Sequence, residues 1–157
     1  ESAPPATLIA SSLQARDLRI RTRCKVAASG RHTACGVVFR HVDGSTYHVA
    51  RVDVHRQRLV VAVVEQGRER VLGEVHADVA PGVWQELTVE ARAETLRATC
   101  NDREVVEVRG AEPGPSGPGG LWVPAATEAS FDDLVIEDIG KSASSSEVVP
   151  SRLRKRS

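Results

Sequence analysis

The stretch from Gly36 to Asp53, GVVFRHVDGSTYHVARVD, constrains the fold of this chain more than any other. It reads as an apolar strand, a turn at Asp43-Gly44-Ser45-Thr46, and a second strand with Tyr47, Val49, Arg51 and Asp53 on one side. Strand side chains alternate between the two faces of a sheet. β-branched and aromatic residues on both arms of a glycine-containing turn are therefore hairpin chemistry. The same hairpin carries Arg40 and Arg51, two charges that a purely structural core has no use for.

Period-2 patterning continues along the chain. Residues 17–27 alternate Leu18, Ile20, Thr22, Cys24 and Val26 against Arg19, Arg21, Arg23 and Lys25. That predicts one buried face and one basic face, the latter read as an edge-strand guard against aggregation. Residues 58–65, RLVVAVVE, are nearly all apolar and predict a strand covered on both sides. Trp84 opens a further strand and is assigned to the core, and Asn101-Asp102-Arg103 makes a tight turn. Strands of this length and spacing, about nine or ten in all, are the signature of a two-sheet antiparallel β-sandwich. Only the segment near residues 5–15 has any helical tendency. The chain divides into an N-terminal segment (1–16), a sandwich (17–140) and a flexible Ser-rich, basic tail (141–157).

Lysine plus arginine balances aspartate plus glutamate at 21 each, which leaves no electrostatic case for nucleic acid or a membrane surface. The tail is cationic, with Lys141, Arg152, Arg154, Lys155 and Arg156 against Glu147, and the rest is correspondingly acidic. No apolar run approaches the ~20 residues that cross a bilayer. The opening ESAPPATLIASS has no basic segment followed by an apolar one, so no signal peptide is read there. Cys24, Cys35 and Cys100 permit one disulfide with one thiol over, or none. They form no CxxC pair, so zinc is not expected, and buried free thiols are.

Several pieces, taken in order, resemble a known family. Gly36–Arg40, Asp43-Gly44 and Tyr47–Asp53 resemble the repeated pattern of concanavalin A-like (laminin-G-like) jelly-roll domains. The version they are most similar to is that of the 3-keto-disaccharide hydrolase, family 16-like group of bacterial extracytoplasmic proteins. Pro81-Gly82-Val83-Trp84-Gln85-Glu86-Leu87, Gly119-Gly120-Leu121-Trp122 and Ser130-Phe131-Asp132-Asp133-Leu134-Val135 resemble its later strands. The resemblance covers roughly residues 17–139. It implies a jelly roll with a concave sheet face, a lectin-like role and an extracellular or periplasmic location. It also implies one structural Ca²⁺ held by Asp133, or less well by Asp132, with backbone carbonyls.

Glycoside hydrolysis needs two carboxyl groups about 5–9.5 Å apart. The nearest pair in sequence, Glu65 and Glu69, straddles a turn. There is no GxSxG or HExxH, and of His41, His48 and His55, at steps of seven, His48 and His55 fall on opposite strand faces, so these are read as solvated or rim histidines rather than a metal site. The leading expectation is thus a non-catalytic binding module for carbohydrate or a partner protein, belonging to a larger protein or assembly. Arg40, Tyr47, Arg51 and Trp122 would line its groove, since a guanidinium fork bonds hydroxyls or carboxylates and an aromatic ring stacks on sugars. Against that stands an Arg51 paired with Asp53 or another acid beside a core Trp122. Two further readings are a glycoside-processing enzyme and a structural subunit that docks through edge strands and its RLRKR tail.

Overall fold

The computed structural model describes residues 5–9, 15–28, 34–110, 116–125 and 127–140, and the backbone of 145–149 and 153–156. Within these, every regular element is a strand: β1 (Ala6–Ile9), β2 (Leu18–Val26), β3 (Ala34–Asp43), β4 (Thr46–Asp53), β5 (Arg58–Glu65), β6 (Arg68–His76), β7 (Gln85–Arg92), β8 (Thr95–Cys100), β9 (Glu104–Val108), β10 (Gly120–Val123), β11 (Glu128–Asp138), β12 (Ser145–Val149) and β13 (Leu153–Arg156). One sheet runs β1-β10-β3-β4-β5-β6. The other runs β12-β11-β2-β7-β8-β9, with β13 also on β11. All pairings are antiparallel. The sandwich expected from the strand spacing is the fold of the chain.

One apolar cluster joins the sheets, with Cys35, Val37, Phe39, Ala50, Val52, Leu59 and Val61 from one side. Leu18, Ile20, Leu87, Val89, Leu96, Phe131 and Ile136 face them from the other. Each fully buried side chain of this kind contributes on the order of 1.5–3 kcal/mol, so alternation in the sequence translates directly into which face is dry.

Four local expectations change. Residues 6–9 are a strand paired to β10, not a helix, because edge pairing with Gly120–Val123 satisfies their backbone groups. β2 lies between β11 and β7, so its arginines do not guard an edge. Residues 145–149 and 153–156, in the stretch expected as a flexible tail, pair with β11 instead. Finally, Cys24 and Cys35 form a disulfide, with Cα atoms 6.4 Å apart. It ties β2 in one sheet to β3 in the other, a pairing that sequence spacing does not reveal. Cys100 is the free cysteine, and burial pushes its thiol up to about 11.

On the outer face of the seven-stranded sheet, Glu137, Arg19, Glu90, Arg97 and Glu107 stand side by side on five successive strands. Arg19 donates to Glu90 at 2.8 Å and to Glu137 at 3.4 Å, while Arg97 meets Glu107 at 3.5 Å. Such exposed pairs are individually weak, each worth about 0.2–1 kcal/mol.

Candidate functional site

The outward face of the six-stranded sheet is set by alternation along β3, β4, β5 and β10. It carries Val38, Tyr47, Val49, Val60, Ala62, Val64 and Trp122, a second apolar cluster separate from the main core. One cross-strand row reads Trp122, Gly36, Arg51, Val60 and Glu74. Gly36 has a mechanical role here. A Cβ at this position would collide with the Ala50 carbonyl oxygen and the Arg51 backbone. With no side chain between them, the Arg51 guanidinium lies over the Trp122 indole, 5.6 Å from its centroid.

Arg51 also reaches diagonally across β5, past the small Ala62, to the carboxylate of Glu69 on β6. Nη1 donates to Oε1 at 2.7 Å and Nη2 to Oε2 at 3.1 Å, a bidentate fork. The Arg51 side chain is only 13% exposed, against 41% for Glu69. A guanidinium stacked on one side and forked on the other is fixed in direction before anything binds. The alternative considered from sequence, Arg51 paired with Asp53 or another acid, is met by Glu69; Asp53 itself accepts from the backbone N–H of Arg56. Glu69 was the member missed. Its signal was the hairpin of β5 and β6, whose turn sets Glu69 opposite Val64 on this face.

Trp122 is 7% exposed, with its indole N–H buried and, among the described residues, without an acceptor, so it forms the floor beneath Arg51 and is not an open stacking platform. Tyr47 is on the same face, 4% exposed, with its ring 6.1 Å from that of His41. Arg58 and Glu74 add a looser pair at 3.7 Å towards the other end.

Arg40 does not belong to this face. The pairing of β3 with β4 shifts between Phe39 and Asp43, and Arg40 adopts a positive φ of 49°. That bulge turns its side chain away from the row of Val38 and Val49. Arg40 is 1% exposed; its Nε and Nη2 donate to the Arg16 carbonyl at 3.2 and 3.0 Å, and Nη2 to the Ala93 carbonyl at 3.0 Å. Burial lowers its pKa, and Asp17 nearby offsets part of that loss. It is a brace between β3 and the β7–β8 turn of the opposite sheet.

Trp84, expected in the core, lies on the surface beside β2, with Arg23 and Lys25 at 5.0 and 4.9 Å from its ring. Val83 before it is exposed, so the irregular strand entry turns the indole outward. His48, expected at a rim, is buried against Phe39. Asp133 also sits at a bulge, with φ 56°, and its carboxylate is 68% exposed and 3.6 Å from the Arg23 guanidinium. Ca²⁺ takes six to eight oxygen ligands. Among the described residues no group of three or more His, Cys, Asp or Glu gathers that could hold a metal ion.

The fold is a concanavalin A-like jelly-roll β-sandwich. No family model matches the chain, and no curated protein does. Solved structures do match. The carbohydrate binding module CBM66 from Bacillus subtilis is 21% identical at a TM-score of 0.76, over 85% of this chain and 82% of that one. Chicken galectin 2 is 8% identical at 0.54, over 88% and 89%. The GH43 protein BlXynB from Bacillus licheniformis is 14% identical at 0.51, over 68% of this chain but 23% of its own. At such identities the shared property is the fold.

Proposed function

We propose that this chain is a non-catalytic carbohydrate-binding module that takes a saccharide on the outward face of its six-stranded sheet. Arg51 and Glu69 provide the polar contacts, Trp122 the floor and Tyr47 the flank. The reading also assigns it to an extracellular or periplasmic setting. The observation that carries it is the Arg51 guanidinium stacked on Trp122 and forked to Glu69 above an apolar floor of Val38, Val49, Val60 and Ala62. Binding sites combine an apolar surface with a few polar groups whose directions are fixed. A guanidinium beside a carboxylate offers donors and acceptors side by side, which suits neighbouring sugar hydroxyls that each donate and accept.

Two further facts support the reading. The fold is shared with a carbohydrate binding module and with galectins. The Cys24–Cys35 disulfide is the kind that persists in oxidising compartments. Binding is favoured over hydrolysis because the two glutamates on this face, Glu69 and Glu74, are each bridged to an arginine. Hydrolysis would need one of a carboxyl pair free to deliver a proton.

A glycan array of neutral oligosaccharides, followed by calorimetry on the hits, tests this. Removal of one charge-assisted contact costs about 1.5–3 kcal/mol, so Arg51→Ala and Glu69→Gln should each weaken binding about 10- to 100-fold. Their melting temperatures should stay near that of the parent chain. Full retention of sugar binding by Arg51→Ala would overturn the assignment.

A further inference from the structure

A second surface lies on the other sheet, at the end of β2 near Lys25. Of the four cations on β2, Arg19 is saturated by Glu90 and Glu137. Among the described residues Arg23 has a single loose ion-pair partner, the exposed Asp133 at 3.6 Å. Among the described residues Arg21 and Lys25 form no ion pair. Trp84 holds Arg23 and Lys25 together, its ring about equally distant from both cationic groups. An aromatic ring placed this way fixes the position of flexible cationic side chains without neutralising them.

A cavity of about 290 Å³ opens at this spot, lined by Lys25, Glu128, Ser130 and Gly82 and by the chain from Val26 to Ala28. That is the lower end of the size range of small-molecule sites, room for one sugar ring. Ser130 stands opposite Lys25 in the β11–β2 pairing. On its other side Ser130 pairs with Arg154 of β13, and Glu128 pairs with Arg156. β13 thus pairs along the side of β11 opposite to β2.

We infer that this end of the seven-stranded sheet is a second binding site, for an acidic polysaccharide carrying carboxylate or sulfate groups. Lys25 and Arg23 take the anionic group, and Ser130 and Glu128 meet hydroxyls in the cavity. The mixed charge decides between polyanions. Glu128 and Asp133 interrupt the cations, and the chain as a whole carries no net charge. A continuous phosphate backbone draws most of its affinity from an unbroken basic field. A glycan with one anionic group per one or two rings, and hydroxyls between, matches an interrupted patch.

The test uses the full chain in affinity electrophoresis and calorimetry at about 0.15 M salt, where exposed charges more than about 8 Å apart are largely screened. The probes are polygalacturonate, dextran sulfate, neutral dextran and single-stranded DNA. Binding to polygalacturonate alone assigns a uronate site, and binding to dextran sulfate as well assigns a site for either anion. In both cases Lys25→Gln with Arg23→Gln should weaken binding at least about tenfold, since two charge-assisted contacts are lost. Lys25→Gln alone gives an intermediate loss, and Arg51→Ala leaves acidic-glycan binding unchanged, which separates this site from the opposite face. The inference fails if the double variant, still folded by its melting curve, binds the acidic glycans like the parent chain. It fails equally if DNA competes as well as they do, or if Arg51→Ala is the variant that loses them.

Discussion

His48 makes the stability of this protein depend on mild acid. Its imidazole is 9% exposed, packed 5.4 Å from Phe39 on the inward side of β4. Burial pushes its pKa down from 6.5 to about 4, and the charges of Arg40 and Arg70 add to the shift. The folded state therefore holds neutral His48 over a range where the unfolded chain binds a proton. Proton uptake on unfolding means stability falls as pH falls. The contribution is intact above about pH 7 and disappears progressively between 6.5 and about 4. A drop of about 2.5 units corresponds to about 3 kcal/mol, a large share of the ~5–15 kcal/mol that holds a domain folded. Urea denaturation at pH 7.5 and pH 4 of the parent chain and of His48→Leu measures it. Carboxylates titrate in both proteins and cancel in the comparison, as does any constant packing change. The parent should lose about 3 kcal/mol more than the variant. Equal losses, or an imidazole that titrates near 6.5 by NMR in the folded protein, would show that His48 does not carry this dependence.

Two other perturbations follow from the packing. Replacing Cys24 and Cys35 with alanine opens a loop with a sequence separation of 11. The chain-entropy relation puts that loss at about 3 kcal/mol, or roughly 6–12 °C in melting temperature, and a melt within a degree of the parent would contradict it. Gly36→Ala drives a methyl group into the Ala50 carbonyl and the Arg51 backbone. Overpacking of this sort costs about 1–3 kcal/mol or more, so soluble yield or thermal melting should fall clearly, and a neutral effect would show that β3 can shift.

Alternation made the sheets legible, because strand period and burial have the same cause. Leu18, Ile20, Cys24 and Val26 are buried as their spacing requires. The hairpin of β3 and β4 falls where Gly36–Asp53 places it, and Arg51, Tyr47 and Trp122 do meet on one face. What escaped the sequence was whatever depends on a break in period. Arg40 leaves the face at a bulge, and Glu74 arrives on it beyond another. Trp84 turns outward at an irregular strand entry, and β1 borrows its strand character from β10. The disulfide was equally hidden, since it joins strands of different sheets and no local spacing encodes that contact.

The row Glu137, Arg19, Glu90, Arg97 and Glu107 has a consequence for how the sheet finds its register. Alternating burial rejects a slip of one residue, which turns a strand inside out, but it is blind to a slip of two. Charge is not blind to it. At each junction of the row, one of the two possible two-residue slips sets like charges against each other. Moving β7 along β2 puts Arg19 opposite Arg92, and moving β8 along β7 puts Arg92 opposite Arg97. Moving β9 along β8 puts Arg97 opposite Arg109, and moving β11 along β2 puts Glu137 opposite Asp17. Each mismatch costs only a few tenths of a kcal/mol. Four in series act as a proofreading code, written in residues whose contribution to native stability is slight.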